Sequence, residues 1–293
     1  MKILDDSLIA RLNRFNLQTK NIVEGFMTGL HKSPYHGFSV EFSDYQQYNQ
    51  GDSIKKIDWK VFAKTERYYI KRYEEETNLK VYILLDHSKS MDFDKSENSK
   101  LEFAKKIAGA ISYLAIRQHD AAGIITFNDK ITNRIPPKAL KSNLKIIVKN
   151  LVKLKAEGKT SSSEILHNLA ESIKRRSLII LISDLLDDPE KLISGFKHFR
   201  YNKHTLMVFH IQDKNERDFQ FKSETEFIDS ETEKSIVVSP WQIRKTYLES
   251  KEKFYQNIKE ECLFNNIEYH TFTVDEPFEK LMTEYLVTRQ KLF

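Results

Sequence analysis

The chain has 293 residues, room for one large domain or two modest ones with a substantial core, and its 40% hydrophobic and 30% charged residues are those of an ordinary globular protein. The net charge of +5 is spread as Lys and Arg interleaved with Asp and Glu, which excludes the long basic block of a nucleic-acid-binding arm. A single cysteine, Cys262, excludes an intramolecular disulfide and a thiolate zinc site; with no bilayer-length apolar run and no secretory core in MKILDDSLIA, the expectation is a cytoplasmic protein without a membrane span.

In chain order, Asp5, Asp6 and Ser7 suit a helix start. Leu8, Leu12, Phe15, Ile22, Phe26 and Leu30 then mark amphipathic helical structure to about Pro34. Short β-like runs follow at Phe38 to Phe42 and Tyr68 to Tyr73, around a Gly51-Asp52 turn and the bulky anchors Ile57, Trp59 and Phe62. Residues 1–79 therefore form an attached subdomain of helix and short strands. From Lys80 the pattern alternates. A strand, KVYILLD, precedes a helical stripe of Leu101, Ala104, Ile107, Ala108, Ile111, Leu114 and Ala115. Ala122 to Phe127 and Ile131 to Ile135 make a hairpin about Asn128-Asp129. Leu140 to Leu154 and Ser161 to Arg175 are helices, and Leu178 to Ile182 is a strand ending at Asp184. Pro189 opens a helix, and Thr205 to Ile211 is the next strand. Residues 212–240 are a polar excursion. Trp241 to about Asn265 is a long charged helix, Ile267 to Val274 a strand, and Pro277 to about Thr288 a closing helix. Strands separated by helical crossovers define an α/β fold for residues 80–293, with a doubly wound, mostly parallel sheet flanked by helices.

The strand from Lys80 is apolar on both faces, the mark of a buried parallel strand, and it runs into Asp86, Ser88 and Ser90. In an extended exit alternate side chains point the same way, so these three oxygens converge as the start of a Mg²⁺ or Ca²⁺ site. In a doubly wound sheet the ligand crevice lies beyond the carboxyl ends of the strands. With the common strand order, Asp184 and the helix-entering loop at Thr160 face that crevice too. Asp86, Ser88, Ser90, Thr160 and Asp184 then surround one point.

Asp86-x-Ser88-x-Ser90, Gly158-x-Thr160 and Asp184 resemble the metal-ion-dependent adhesion site of von Willebrand factor type A domains. The order of Gly51-Asp52, Ile57-Asp58-Trp59 and DHSKSM resembles a narrower group, the domain-of-unknown-function fifty-eight family, bacterial proteins often encoded beside MoxR-type AAA+ ATPases. The resemblance implies a divalent metal, usually Mg²⁺ with Ca²⁺ or Mn²⁺ as alternatives, held by Ser88, Ser90 and Thr160, with Asp86 and Asp184 direct or through water. It further implies a non-enzymatic, metal-dependent protein-binding module or adaptor. Its partners would be a MoxR-type ATPase and client proteins that supply a carboxylate to the metal.

Other readings are weaker on the residues. Gly158-Lys159-Thr160 is no phosphate loop, because Lys153 stands where GxxxxGK[ST] needs its first glycine and a helix precedes it. A haloacid-dehalogenase-type, Mg²⁺-dependent phosphatase would use Asp86 as nucleophile and a later acidic group such as Asp184, Asp187 or Asp188. It also wants a carboxylate two residues after the nucleophile, where Ser88 stands. No G-x-S-x-G or H-E-x-x-H occurs. His87 is expected to point away from the ion, and Asp58 and Trp59 to anchor a buried turn.

Overall fold

The computed structural model describes residues 40–48, 57–75, 79–92, 99–117, 119–159, 162–221, 223–228 and 235–276. The helix expected before Pro34, the Gly51-Asp52 turn, Thr160 and the closing helix expected from Pro277 lie outside these residues. The chain divides into two compact units, one of residues 33–78 and the other containing residues 79–293.

In the smaller unit, strand β1 (Val40–Gln47) pairs antiparallel with β2 (Tyr69–Glu75), with an irregularity between Phe42 and Asp44. Helix α1 (Trp59–Thr65) starts at Asp58, whose carboxylate accepts from the Lys60 and Val61 amides and so satisfies donors that have no partner within the helix. Ile57 and Asp58 are buried, as expected of a turn anchor. Trp59 is not: at the first position of the helix it is 57% exposed.

The larger unit is built on a six-stranded sheet in the order β10-β7-β6-β3-β4-β5. Its strands are β3 (Lys80–Asp86), β4 (Ala121–Phe127), β5 (Ile131–Lys138), β6 (Leu178–Ser183), β7 (Thr205–Gln212) and β10 (Glu268–Thr273). All neighbours are parallel except β4 and β5, the hairpin expected about Asn128-Asp129. Alternate residues of β3 feed opposite faces, which is why the strand is apolar throughout. Val81, Ile83 and Leu85 pack with helices α2 (Lys100–Arg117) and α3 (Lys141–Lys153). Leu84 packs on the other face with α4 (Ser162–Ser172), α5 (Pro189–Tyr201) and α7 (Pro240–Phe264). Ile83, Leu84 and Leu85 have no exposed surface, and each such side chain contributes roughly 1.5–3 kcal/mol through burial. The excursion expected at 212–240 contains a short helix α6 (Lys214–Asp218) and a two-stranded hairpin of β8 (Thr225–Ile228) and β9 (Ser235–Val238).

Strand β3 connects through α2 to β4 on one side, while β6 lies on its other side and leads through α5 to β7. The winding thus reverses between β3 and β6, and the loops leaving them diverge to opposite faces. Their carboxyl ends open the crevice in which ligands of such sheets bind.

Candidate metal centre

The register of β3 on β6, with Leu85 beside Ile182, brings the strand end at Asp86 next to Ser183 and Asp184. Asp86 is fully buried. One carboxylate oxygen accepts from the Ser88 amide at 2.9 Å and the other from the Ser183 hydroxyl at 2.7 Å. The chain does not leave β3 in extended form: Lys89–Asp92 is a 3-10 turn. Ser88 and Ser90 nevertheless meet, their hydroxyl oxygens 3.0 Å apart, so the turn rather than the strand alternation brings Ser90 in.

A second loop closes on the first. The Glu157 amide donates to the His87 carbonyl at 2.9 Å and the Lys89 amide to the Gly158 carbonyl at 3.3 Å. Gly158 adopts φ +79°, and a Cβ there would lie 2.4 Å from Asn128 Nδ2, whose amide holds the Glu157 carbonyl at 2.9 Å. Only glycine meets both the left-handed backbone and the close approach. Thr160 itself is outside the described residues; the backbone two positions before it is bonded to the Asp86–Ser90 loop. His87 faces away, as expected, with Nδ1 donating to the Lys155 carbonyl and Nε2 beside the Thr132 hydroxyl. Burial lowers its pKa and keeps the ring neutral.

The loop after β6 is irregular. Leu185 has φ +57°, and its amide donates to the Ser183 hydroxyl at 3.0 Å. A branched residue in the left-handed region is held against its preference, a feature that clusters at functional sites. Asp184 is buried and accepts from Lys100 Nζ at 2.8 Å; the same ammonium bonds Glu216 at 2.6 Å. Lys100 is fully buried, and although burial alone would lower its pKa, Asp184 and Glu216 more than offset this and push it up to about 12. Lys100 and Glu216 were not singled out from the sequence. The signal was present for Lys100, which lies on the same helical stripe as Ala104, Ile107 and Ile111, where a lysine needs a buried partner.

These contacts leave Asp86 and Asp184 unequal. Burial first, and the neighbouring Asp184 carboxylate second, push the Asp86 pKa up to about 6, against the hydrogen bonds from Ser88 and Ser183. Among the described residues Asp86 bonds only to neutral donors, whereas Asp184 has an ammonium. Asp86, the Ser88 and Ser90 hydroxyls and the neighbouring Asp184 offer hard oxygen donors of the kind that could hold a divalent ion, with the Lys100 ammonium already on one oxygen of Asp184.

Of the later acids that a phosphatase would draw on, Asp184 lies at the crevice, while Asp187 and Asp188 are engaged at helix starts. Asp188 caps α5 through the Glu190 and Lys191 amides, and Asp187 accepts from the Ser163 amide at the start of α4.

The fold defines a doubly wound α/β domain with buried acidic and hydroxyl side chains gathered at its switch point. The chain belongs to the family described as Protein of unknown function DUF58, whose model matches residues 44–256. It is similar to uncharacterised proteins of Mycobacterium bovis and Mycobacterium tuberculosis, 23% identical over 185 residues, and covers 58% of their length with 62% of its own. Among solved structures it is similar to the conserved hypothetical protein BatB from Bacteroides thetaiotaomicron. That likeness has TM-score 0.48 at 15% identity and spans 73% of this chain and 100% of that one. It is also similar to the SpRpn10 VWA domain, with TM-score 0.38 at 12% identity over 71% and 95% of the two chains. No helix among the described residues is long and apolar enough to cross a membrane.

Proposed function

We propose that the larger unit is a metal-dependent protein-binding module, in which a divalent cation, Mg²⁺ first among the candidates, binds at Asp86, Ser88, Ser90, Thr160 and Asp184. The observation that carries this reading is the buried Asp86 carboxylate, set between serine hydroxyls and Asp184 and bonded only to neutral donors among the described residues. When bound, the metal supplies an electrophilic docking point for a carboxylate of another protein. In this reading the carboxylates Asp86 and Asp184 serve the metal, not proton transfer, at the crevice. His87 is bonded away from it, and the position two after Asp86 is a serine. The partner suggested by the family resemblance is a MoxR-type AAA+ ATPase, for which the module would act as an adaptor toward acidic client proteins in assembly or remodelling, in the cytoplasm.

Thermal unfolding in Mg²⁺ and in EDTA, for wild type and Ser88→Ala, tests the metal. A ligand that binds only the folded state raises the midpoint in proportion to the logarithm of its concentration. Wild type should show this rise and Ser88→Ala should lose most of it; the same midpoint in both buffers at saturating metal would defeat the assignment. Retention of a purified MoxR-type ATPase in Mg²⁺ and its loss in EDTA tests the adaptor role separately.

A further inference from the structure

We propose that Lys100 is an internal counter-ion of this metal site, whose ammonium shares Asp184 with the bound cation and sets how tightly a divalent ion is held. The inference rests on the metal reading above and adds a residue that the reading does not require.

Three observations carry it. First, Lys100 opens α2 but does not reach solvent: its side chain is completely buried, with Asp184 Oδ2 at 2.8 Å and Glu216 Oε1 at 2.6 Å. A charge so placed is not screened by salt as a surface lysine is, so any cation entering beside Asp184 meets its field nearly in full. Second, the ammonium occupies one oxygen of Asp184 and leaves Oδ1, which among the described residues accepts a long 3.4 Å bond from the Leu186 amide. Asp184 can therefore turn one oxygen to the crevice, while Asp86 is bonded to neutral groups alone among the described residues. Third, the lysine is held from behind. Glu216 sits on α6, and its backbone carbonyl accepts from Lys251 Nζ at 2.6 Å and from the Tyr247 hydroxyl at 3.3 Å, both on α7. The α6 backbone that carries Glu216 is thus tied to α7, behind the carboxylate that holds the ammonium. Lys100 places a buried positive charge directly on Asp184, so a variant without it should hold a divalent ion there more tightly.

The test is a direct titration with Mn²⁺ and Mg²⁺, by calorimetry and by the loss of the free Mn²⁺ spin-resonance signal, at one pH and salt concentration. Lys100→Met should bind at least about tenfold more tightly than wild type, the least expected from removing an unscreened unit charge near the ion. The double variant Lys100→Met/Glu216→Gln, which leaves one fewer unpaired buried acid and is the safer fold, should keep part of the gain. Glu216→Gln alone, with the ammonium now answering to Asp184 only, should bind at least about threefold more weakly than wild type. Dissociation constants within twofold of wild type for the folded Lys100 variants, or for Glu216→Gln should neither Lys100 variant fold, would overturn the proposal and leave the metal site standing. No binding by wild type or any variant would overturn the metal site and this inference together.

Discussion

The two rims of the central sheet both bury ionisable side chains, and they satisfy them differently. At the amino-end rim, Asp120 accepts from the Leu79 amide at 3.0 Å, and His204 links the Ser177 amide to the Ile173 carbonyl at 3.2 and 3.0 Å. Each side chain there is tied to backbone groups of the connection it closes. At the carboxyl-end rim the partners are mainly other side chains: Asp86 with Ser183, Ser88 with Ser90, and Lys100 with Asp184 and Glu216. Backbone-satisfied groups fasten connections and need no ligand. Side chains gathered upon one another, with a like-charged pair among them, are the arrangement on which the proposed metal site rests.

The comparison is sharpened most by the pH dependence of Asp120. Burial pushes its pKa up to about 7, against the hydrogen bond from Leu79. Because the folded value exceeds the unfolded one, the stability associated with the protonated form is complete below about pH 4. It is lost as pH rises, and the loss levels off above pH 7. For a shift of this size the penalty reaches up to about 4 kcal/mol. Asp120→Asn keeps an acceptor for Leu79 and has no such titration, so urea unfolding should show the variant gaining on wild type steadily from pH 4 to pH 8. A wild-type to variant difference that stays flat across that range would show Asp120 to be ionised in the folded protein at ordinary cost. The second largest effect is expected of His204→Leu, which strands the Ser177 amide and the Ile173 carbonyl in the interior. A loss of roughly 2–4 kcal/mol in urea unfolding should follow, with the Mg²⁺ response unchanged.

The sequence made one rim more legible than the other. Strands β3 and β6 could be read because burial on both faces leaves an unbroken apolar run, and their adjacency placed Asp86 beside Asp184. The 3-10 turn at Lys89–Asp92 was not visible, since convergence of Ser88 and Ser90 looks the same in sequence whether a strand or a turn produces it. Glu216 was hidden by composition, because DKNERD looks like solvated charge; Lys100 carried a signal in its place on the apolar stripe of α2, but its partners come from distant elements. Trp59 failed in the opposite sense, a large apolar residue expected to anchor a turn that stands exposed at the start of α1. Asp120 and His204 were not singled out, because their partners are backbone groups that no side-chain pattern reveals.

The finest discrimination comes from making one chemical change on both rims. Asp86→Asn keeps an acceptor for the Ser88 amide and removes one of two neighbouring buried carboxylates, so at pH 8 without metal its unfolding free energy should stay within about 1 kcal/mol of wild type or exceed it. The same variant should lose the Mg²⁺-induced rise in thermal midpoint, while Asp120→Asn should keep it in full. A carboxylate whose removal costs little in the free protein and everything in the response to metal belongs to a binding site. If Asp86→Asn instead lowered metal-free stability by about 2 kcal/mol or more and still answered to Mg²⁺, Asp86 would be a strand-end fastening of the same kind as Asp120, and the distinction between the rims would not hold.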